Sequence, residues 1–181
     1  MRTHFLFAAA ALIAATPAFA AVTVIGGTSA RSCYEAAEAR SMATPEAIRS
    51  CDVALQEALS RDDTVATLVN RGILKARAGD VARAIADYDE ALSRDPNEPE
   101  AYLNKGFALL HLPEAEQQAK PMFDFALEKK TRRPELAYYG RAVAHELTGE
   151  VRAAYRDYRQ ASRLDPKWRQ PKADLARFKV N

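Results

Sequence analysis

Ala54, Leu55, Ala58 and Leu59 lie on one apolar stripe at helical spacing, flanked by polar and charged positions. Thr44-Pro45-Glu46 opens that stretch with an N-cap residue and a proline at the first helical position. A helix is predicted over Pro45–Ser60, paired with a shorter one over Ser32–Arg40. Further along, helices are predicted near Thr67–Ala78 and Val81–Arg94, and again near Pro134–Leu147 and Val151–Leu164. The partners in each pair are separated by Gly79-Asp80 or Gly149-Glu150, and each pair stops at Pro96 or Pro166. Glycine supplies the left-handed turn at the end of the first helix, and proline cannot continue the second.

The two later pairs are copies. Gly72, Gly79, Ala84, Tyr88, Ala91 and Pro96 return in the same order as Ala142, Gly149, Ala154, Tyr158, Ala161 and Pro166, each 70 positions on. Between them lies a third copy, in which Tyr102, Asn104, Gly106, Ala119, Phe123 and Ala126 keep the order and Asn104 follows Asn70 by 34. A period near 34 with small residues at fixed places marks a stacked array of helix pairs. Gly72 and Ala84 are read as helix crossings, with Tyr88 and Ala91 filling the gap to the next repeat.

The middle copy is irregular. Pro113 replaces the inter-helix glycine, and Pro121 falls where the second helix should run. Either that helix bends at Lys120-Pro121 or it begins close to there. The predicted organisation is a signal peptide over 1–20, a flexible or extended lead-in over 21–31 and a degenerate helix pair over 32–64. Repeats follow over 65–98, 99–134 and 135–168, with a capping helix and tail over 169–181. Trp168, Leu175 and Phe178 would cover the apolar end of the last repeat.

These residues resemble the tetratricopeptide repeat. The small residue in the first helix, the Gly-Asp turn, the Ala-x3-aromatic-x2-Ala run and the closing Asp-Pro carry the resemblance. It implies an all-α, right-handed α-α superhelix whose first helices line a concave groove, and a partner that is a peptide, tail or helix of another protein. Some members hold a C-terminal carboxylate with a clamp of Asn, Lys and Arg. Here Asn70 and Asn104 match the asparagine register, but the third equivalent is Gly140. Val69 and Leu136 stand where basic groups would be expected, so that clamp is incomplete.

The candidate groove is Asn70, Ile73, Leu103, Asn104, Phe107, Tyr139 and Val143, with Arg71, Lys105 and Arg141 as a basic edge. An asparagine amide offers donors and an acceptor to an extended peptide, and an apolar floor with a polar rim suits a peptide or helix. The other reading of the asparagines is hydrogen bonding between helices; that of the rest is burial by a neighbouring helix.

Composition narrows the function. Lys and Arg number 26 against 24 acidic residues, and the charges alternate along helices, which argues against a nucleic-acid partner. Phe5–Ala15 is an apolar run too short to span a bilayer, followed by Pro17-Ala18-Phe19-Ala20 with an Ala-x-Ala cleavage pattern. Export to a bacterial periplasm or the outside is therefore expected, with no transmembrane segment after cleavage. In that setting the two cysteines, Cys33 and Cys51, read as a disulfide pinning the first helix to the second.

His145-Glu146 lacks the second histidine of H-E-x-x-H. Asp80, Asp95, Glu150 and Asp165 fall at turn and cap positions. The expectation is a non-catalytic adaptor without cofactor or metal. The alternative is a self-associating structural protein, a homo-oligomer with no dedicated peptide ligand.

Overall fold

The computed structural model describes residues 19–25, 27–39 and 43–178; the apolar run over 5–15 lies outside them. Among the described residues there are nine helices: α1 Thr28–Glu38, α2 Pro45–Ala54, α3 Arg61–Arg77, α4 Val81–Arg94, α5 Pro99–Leu109, α6 Glu116–Glu128, α7 Pro134–Leu147, α8 Val151–Leu164 and α9 Arg169–Leu175. Helices pack in sequential antiparallel pairs, and α1, α3, α5 and α7 also touch one another in turn. They form one layer, and α2, α4, α6 and α8 form the other. The chain is an all-α tetratricopeptide-type superhelix. No described helix is long and apolar enough to cross a membrane.

The regular helices follow the predicted limits, and the departures have local causes. α1 starts at Thr28 rather than Ser32, shortening the lead-in. α3 starts at Arg61 rather than Thr67 because Ser60 caps it. The Ser60 hydroxyl accepts from the Asp63 amide at 3.1 Å and donates to the Asp63 carboxylate at 2.9 Å. α2 ends early, at Ala54 rather than Ser60, and a turn followed by irregular chain leads to that cap. Cys33 and Cys51 are bonded, joining α1 to α2.

In the middle repeat, α6 begins late, at Glu116, with Pro121 in its second turn. Without an inter-helix glycine, Glu114 takes the left-handed conformation (φ 60°) that Gly79 (φ 85°) and Gly149 (φ 77°) adopt in the other repeats. Lys130 does the same after α6, at φ 62°.

Aromatic rings lock the layers. Tyr88 of α4 is fully buried and lies back on Gly72 of its own repeat, where an added Cβ would come within 2.5 Å of the ring. Small residues of α5, Ala101 and Ala108, complete that cluster. At the C-terminal end, Trp168 stacks on Tyr139 at 4.7 Å, and Phe178 lies 5.8 Å from Tyr158. With Leu175 they cover the last repeat.

Candidate functional site

The groove side of α3 and α5 carries a strand of the chain itself. Phe19–Ile25 is non-helical and runs from α5 back to α3 before α1 begins. Asn104 accepts from the Ala20 amide at 3.3 Å and donates to the Ala20 carbonyl at 3.1 Å. Asn70 accepts from the Val22 amide at 2.8 Å and donates to the Val22 carbonyl at 2.7 Å. Both asparagines are fully buried.

The spacing follows from backbone geometry. In an extended chain the N–H and C=O of one residue point the same way, and the pattern returns two residues later, about 6.6 Å along. One primary amide therefore satisfies residue 20 and the next satisfies residue 22. The asparagines contact backbone rather than bridging helices. Asp63 adds a bond beyond them, accepting from the Ile25 amide at 2.9 Å.

Burial is deepest at two even positions of the strand, and Phe19, Ala21 and Val22 are half-buried. Ala20 and Val24 are buried, while Thr23 and Ile25 are exposed. Ala20 enters the cluster that holds Leu103 and Phe107, whereas Phe19, Ala21 and Val22 pack on the cluster that holds Ile73. Phe19 also lies beneath the Arg77 guanidinium, 5.2 Å from its ring centroid. Asn70 and Asn104 thus hold the strand, with Ile73 in one of the apolar clusters it packs on and Leu103 and Phe107 in the other.

Tyr139 packs against the cluster that holds Leu103 and Phe107, but its polar end is engaged elsewhere. Its hydroxyl donates to Asp174 of α9 at 3.0 Å, and burial beside that carboxylate pushes its pKa above the usual phenol range. Val143 is buried in the same C-terminal cluster as Leu175 and Phe178.

Nor do the three basic residues form a free groove edge. Arg71 forks onto Asp87 of α4 at 2.7 and 3.0 Å and onto Asp52 of α2 at 2.8 Å. Arg141 repeats this two repeats on, with Asp157 of α8 at 2.7 and 2.9 Å and Asp124 of α6. Lys105 pairs with Asp89 of α4. Each cation ties its own helix to the second layer, and the paired carboxylates raise the Arg141 pKa above that of a free guanidinium. These are stacking bolts.

The acidic turn residues divide. Asp80 accepts from the Arg83 amide, and Asp165 accepts from the Lys167 and Trp168 amides, as expected of caps. Glu150 makes no side-chain cap. Hydrogen bonds from Lys120, then Thr148, hold its pKa down at about 2.

The asparagine ladder stops at α7 for a steric reason. Phe123 of α6 wedges between Gly106 and Gly140, and an added Cβ at Gly140 would lie 2.3 Å from its ring. Asparagine cannot stand there while Phe123 does.

Phe19, Ala20 and Asp63 belong to the site without a sequence signal of their own; the neighbouring β-branched run Val22-Thr23-Val24-Ile25 marks only an extended segment. A family model described as the tetratricopeptide repeat matches residues 65–98, and nothing among the curated proteins matches.

Solved structures resemble the fold. The tetratricopeptide domain of Arabidopsis OM64 is 23% identical, with TM-score 0.62 over 65% of this chain and 96% of that one. MamA from Desulfovibrio magneticus RS-1 is 23% identical, with TM-score 0.65 over 82% of each chain. The first such domain of Spaghetti (RPAP3), bound to the HSP90 peptide SRMEEVD, is 22% identical, with TM-score 0.59 over 62% of this chain and 88% of that one.

Proposed function

We infer that this chain, whose fold is a superhelix of the tetratricopeptide type, is a non-catalytic protein–protein adaptor that takes an extended peptide segment of a partner into the groove of α3 and α5. One observation carries this reading. Asn70 and Asn104 each bind both polar groups of one backbone residue, two residues apart, so they recognise an extended chain without regard to most of its side chains. Leu103, Phe107 and Ile73 supply apolar contact beside them. The similarity to a domain seen with a peptide bound supports the same use of the scaffold.

The specificity differs from carboxylate capture. Val69 and Leu136 are buried apolar residues, and Arg71, Lys105 and Arg141 are held in ion pairs. A peptide in this groove is held by main-chain hydrogen bonds and small apolar side chains, not by its terminal charge.

The adaptor works outside the cytoplasm, in the periplasm or cell envelope. The apolar run Phe5–Ala15 and the Ala-x-Ala pattern support this, as does the bond between Cys33 and Cys51.

Selecting ligands from a peptide library with the oxidised protein tests the reading. Selected peptides should lose binding to an Asn70→Ala/Asn104→Ala variant that keeps its helix content. Equal binding by that variant would refute the groove. Phe107 is left intact because it meets Phe123 edge-on at 5.1 Å and holds the core.

A further inference from the structure

We propose that Phe19–Ile25 is a built-in competitor for the peptide groove, and that cleavage after Ala20 switches it from a firm to a displaceable hold. The proposal rests on the adaptor reading above and adds its regulation. The cleavage pattern falls between the two residues that the asparagines grip. Ala20 is held by Asn104 and Val22 by Asn70.

Hydrolysis of the Ala20–Ala21 bond consumes one water. It leaves a carboxylate on Ala20 and a free amino group on Ala21. Once the leader departs, Asn104 loses both of its hydrogen bonds, and the pocket that held Ala20 beside Leu103 and Phe107 is vacated. Asn70 keeps both bonds to Val22, and Asp63 keeps its bond to the Ile25 amide. Half of the strand's polar anchorage to the asparagines is gone, while the remainder stays tethered through α1.

The chemistry of the incoming ligand follows from the vacated half. It must be an extended segment presenting N–H and C=O to Asn104, with an alanine-sized side chain in the cluster that holds Leu103 and Phe107. Ala20 fits there with 5% exposure, and a large side chain would not. Ligand and internal strand are therefore alike, and the uncleaved chain binds its partner less tightly.

The test uses a fluorescein-labelled synthetic peptide, Phe-Ala-Ala-Val-Thr-Val, which is this chain's own 19–24. Its anisotropy is titrated with the full chain, with the chain beginning at Ala21, and with that shorter chain carrying Val22→Pro. All forms are oxidised at Cys33–Cys51 and matched for helix content. Proline removes the amide that Asn70 accepts from, weakening the internal strand without touching the groove wall.

Affinity should rise about tenfold from the full chain to the Ala21 form, the effect of one or two lost hydrogen bonds, and rise again with Val22→Pro. Asn104→Ala in the Ala21 form should abolish the gain. Equal affinity of all three forms, with Asn104→Ala still weakening each, overturns the competitor and leaves the groove standing. No saturable binding by any form, or binding indifferent to Asn104→Ala, overturns both.

Discussion

Replacing Gly140 by alanine adds a single methyl group to a helix interior, a change that ordinarily stabilises by about 1 kcal/mol because glycine loses more backbone freedom on folding. Here the sign reverses. The new Cβ would stand 2.3 and 2.4 Å from two ring carbons of Phe123, against an optimum of about 3.5–4.0 Å between carbons. The ring cannot swing clear, because it is fully buried, sits 2.8 Å from the equivalent point on Gly106, and meets Phe107 edge-on.

Forcing α6 and α7 apart should cost about 3 kcal/mol, at the upper end of overpacking, leaving Gly140→Ala destabilised by about 2 kcal/mol. For a domain of this size that is a melting-temperature drop of roughly 4–8 °C. Urea unfolding followed by circular dichroism reads it directly. In a Phe123→Leu background the obstruction is absent, and Gly140→Ala should then stabilise by about 0.5–1 kcal/mol. The resulting coupling of about 3 kcal/mol identifies the ring as the cause. A neutral or stabilising Gly140→Ala in the wild-type chain would refute the wedge, and with it the explanation of why the asparagine ladder ends at α5.

Glu114→Gly should raise stability by about 1 kcal/mol in the same assay, since only glycine takes φ 60° without steric cost; a loss would show that the Glu114 side chain contributes more than its backbone costs. Arg141→Ala should destabilise by about 2 kcal/mol, because Asp157, mostly buried, keeps only a 3.8 Å approach from His145; a double-mutant cycle with Asp157→Asn checks the pairing.

Glu98 is a group that makes stability depend on pH above neutrality. Burial, then hydrogen bonding to Glu100, raises its pKa to about 8, above its ordinary 4.5, although Arg132 nearby acts in the opposite direction. The folded chain therefore binds the proton more tightly than the unfolded chain. Stability is full below about 4.5 and falls as pH rises through 8. Glu98→Gln should flatten urea midpoints between pH 6 and 9, and an unchanged slope would exclude Glu98 as the source.

The repeat register was legible in the sequence because its signals are local. Gly79, Gly149, Pro96 and Pro166 mark turns through their own backbone preferences, and Gly72, Tyr88 and their echoes occur at fixed distances. Asn70 and Asn104 could be placed on the groove side from register alone, since a helix carries residues 34 apart to the same face of successive repeats.

What those asparagines touch is decided by the tertiary structure. Ala20 lies 84 positions from Asn104, and no local pattern links an extended strand to two amides on separate helices. The same limit explains Arg71 and Arg141. A cation one place beyond a groove residue reads as an edge until Asp52, Asp87, Asp124 and Asp157 are brought around it from the neighbouring layer. Local propensity writes the scaffold, because turns and helices depend on residues near in sequence. The occupancy of the groove depends on residues brought together only when α1, α3 and α5 pack, and there the strand from Phe19 to Ile25 found its partners.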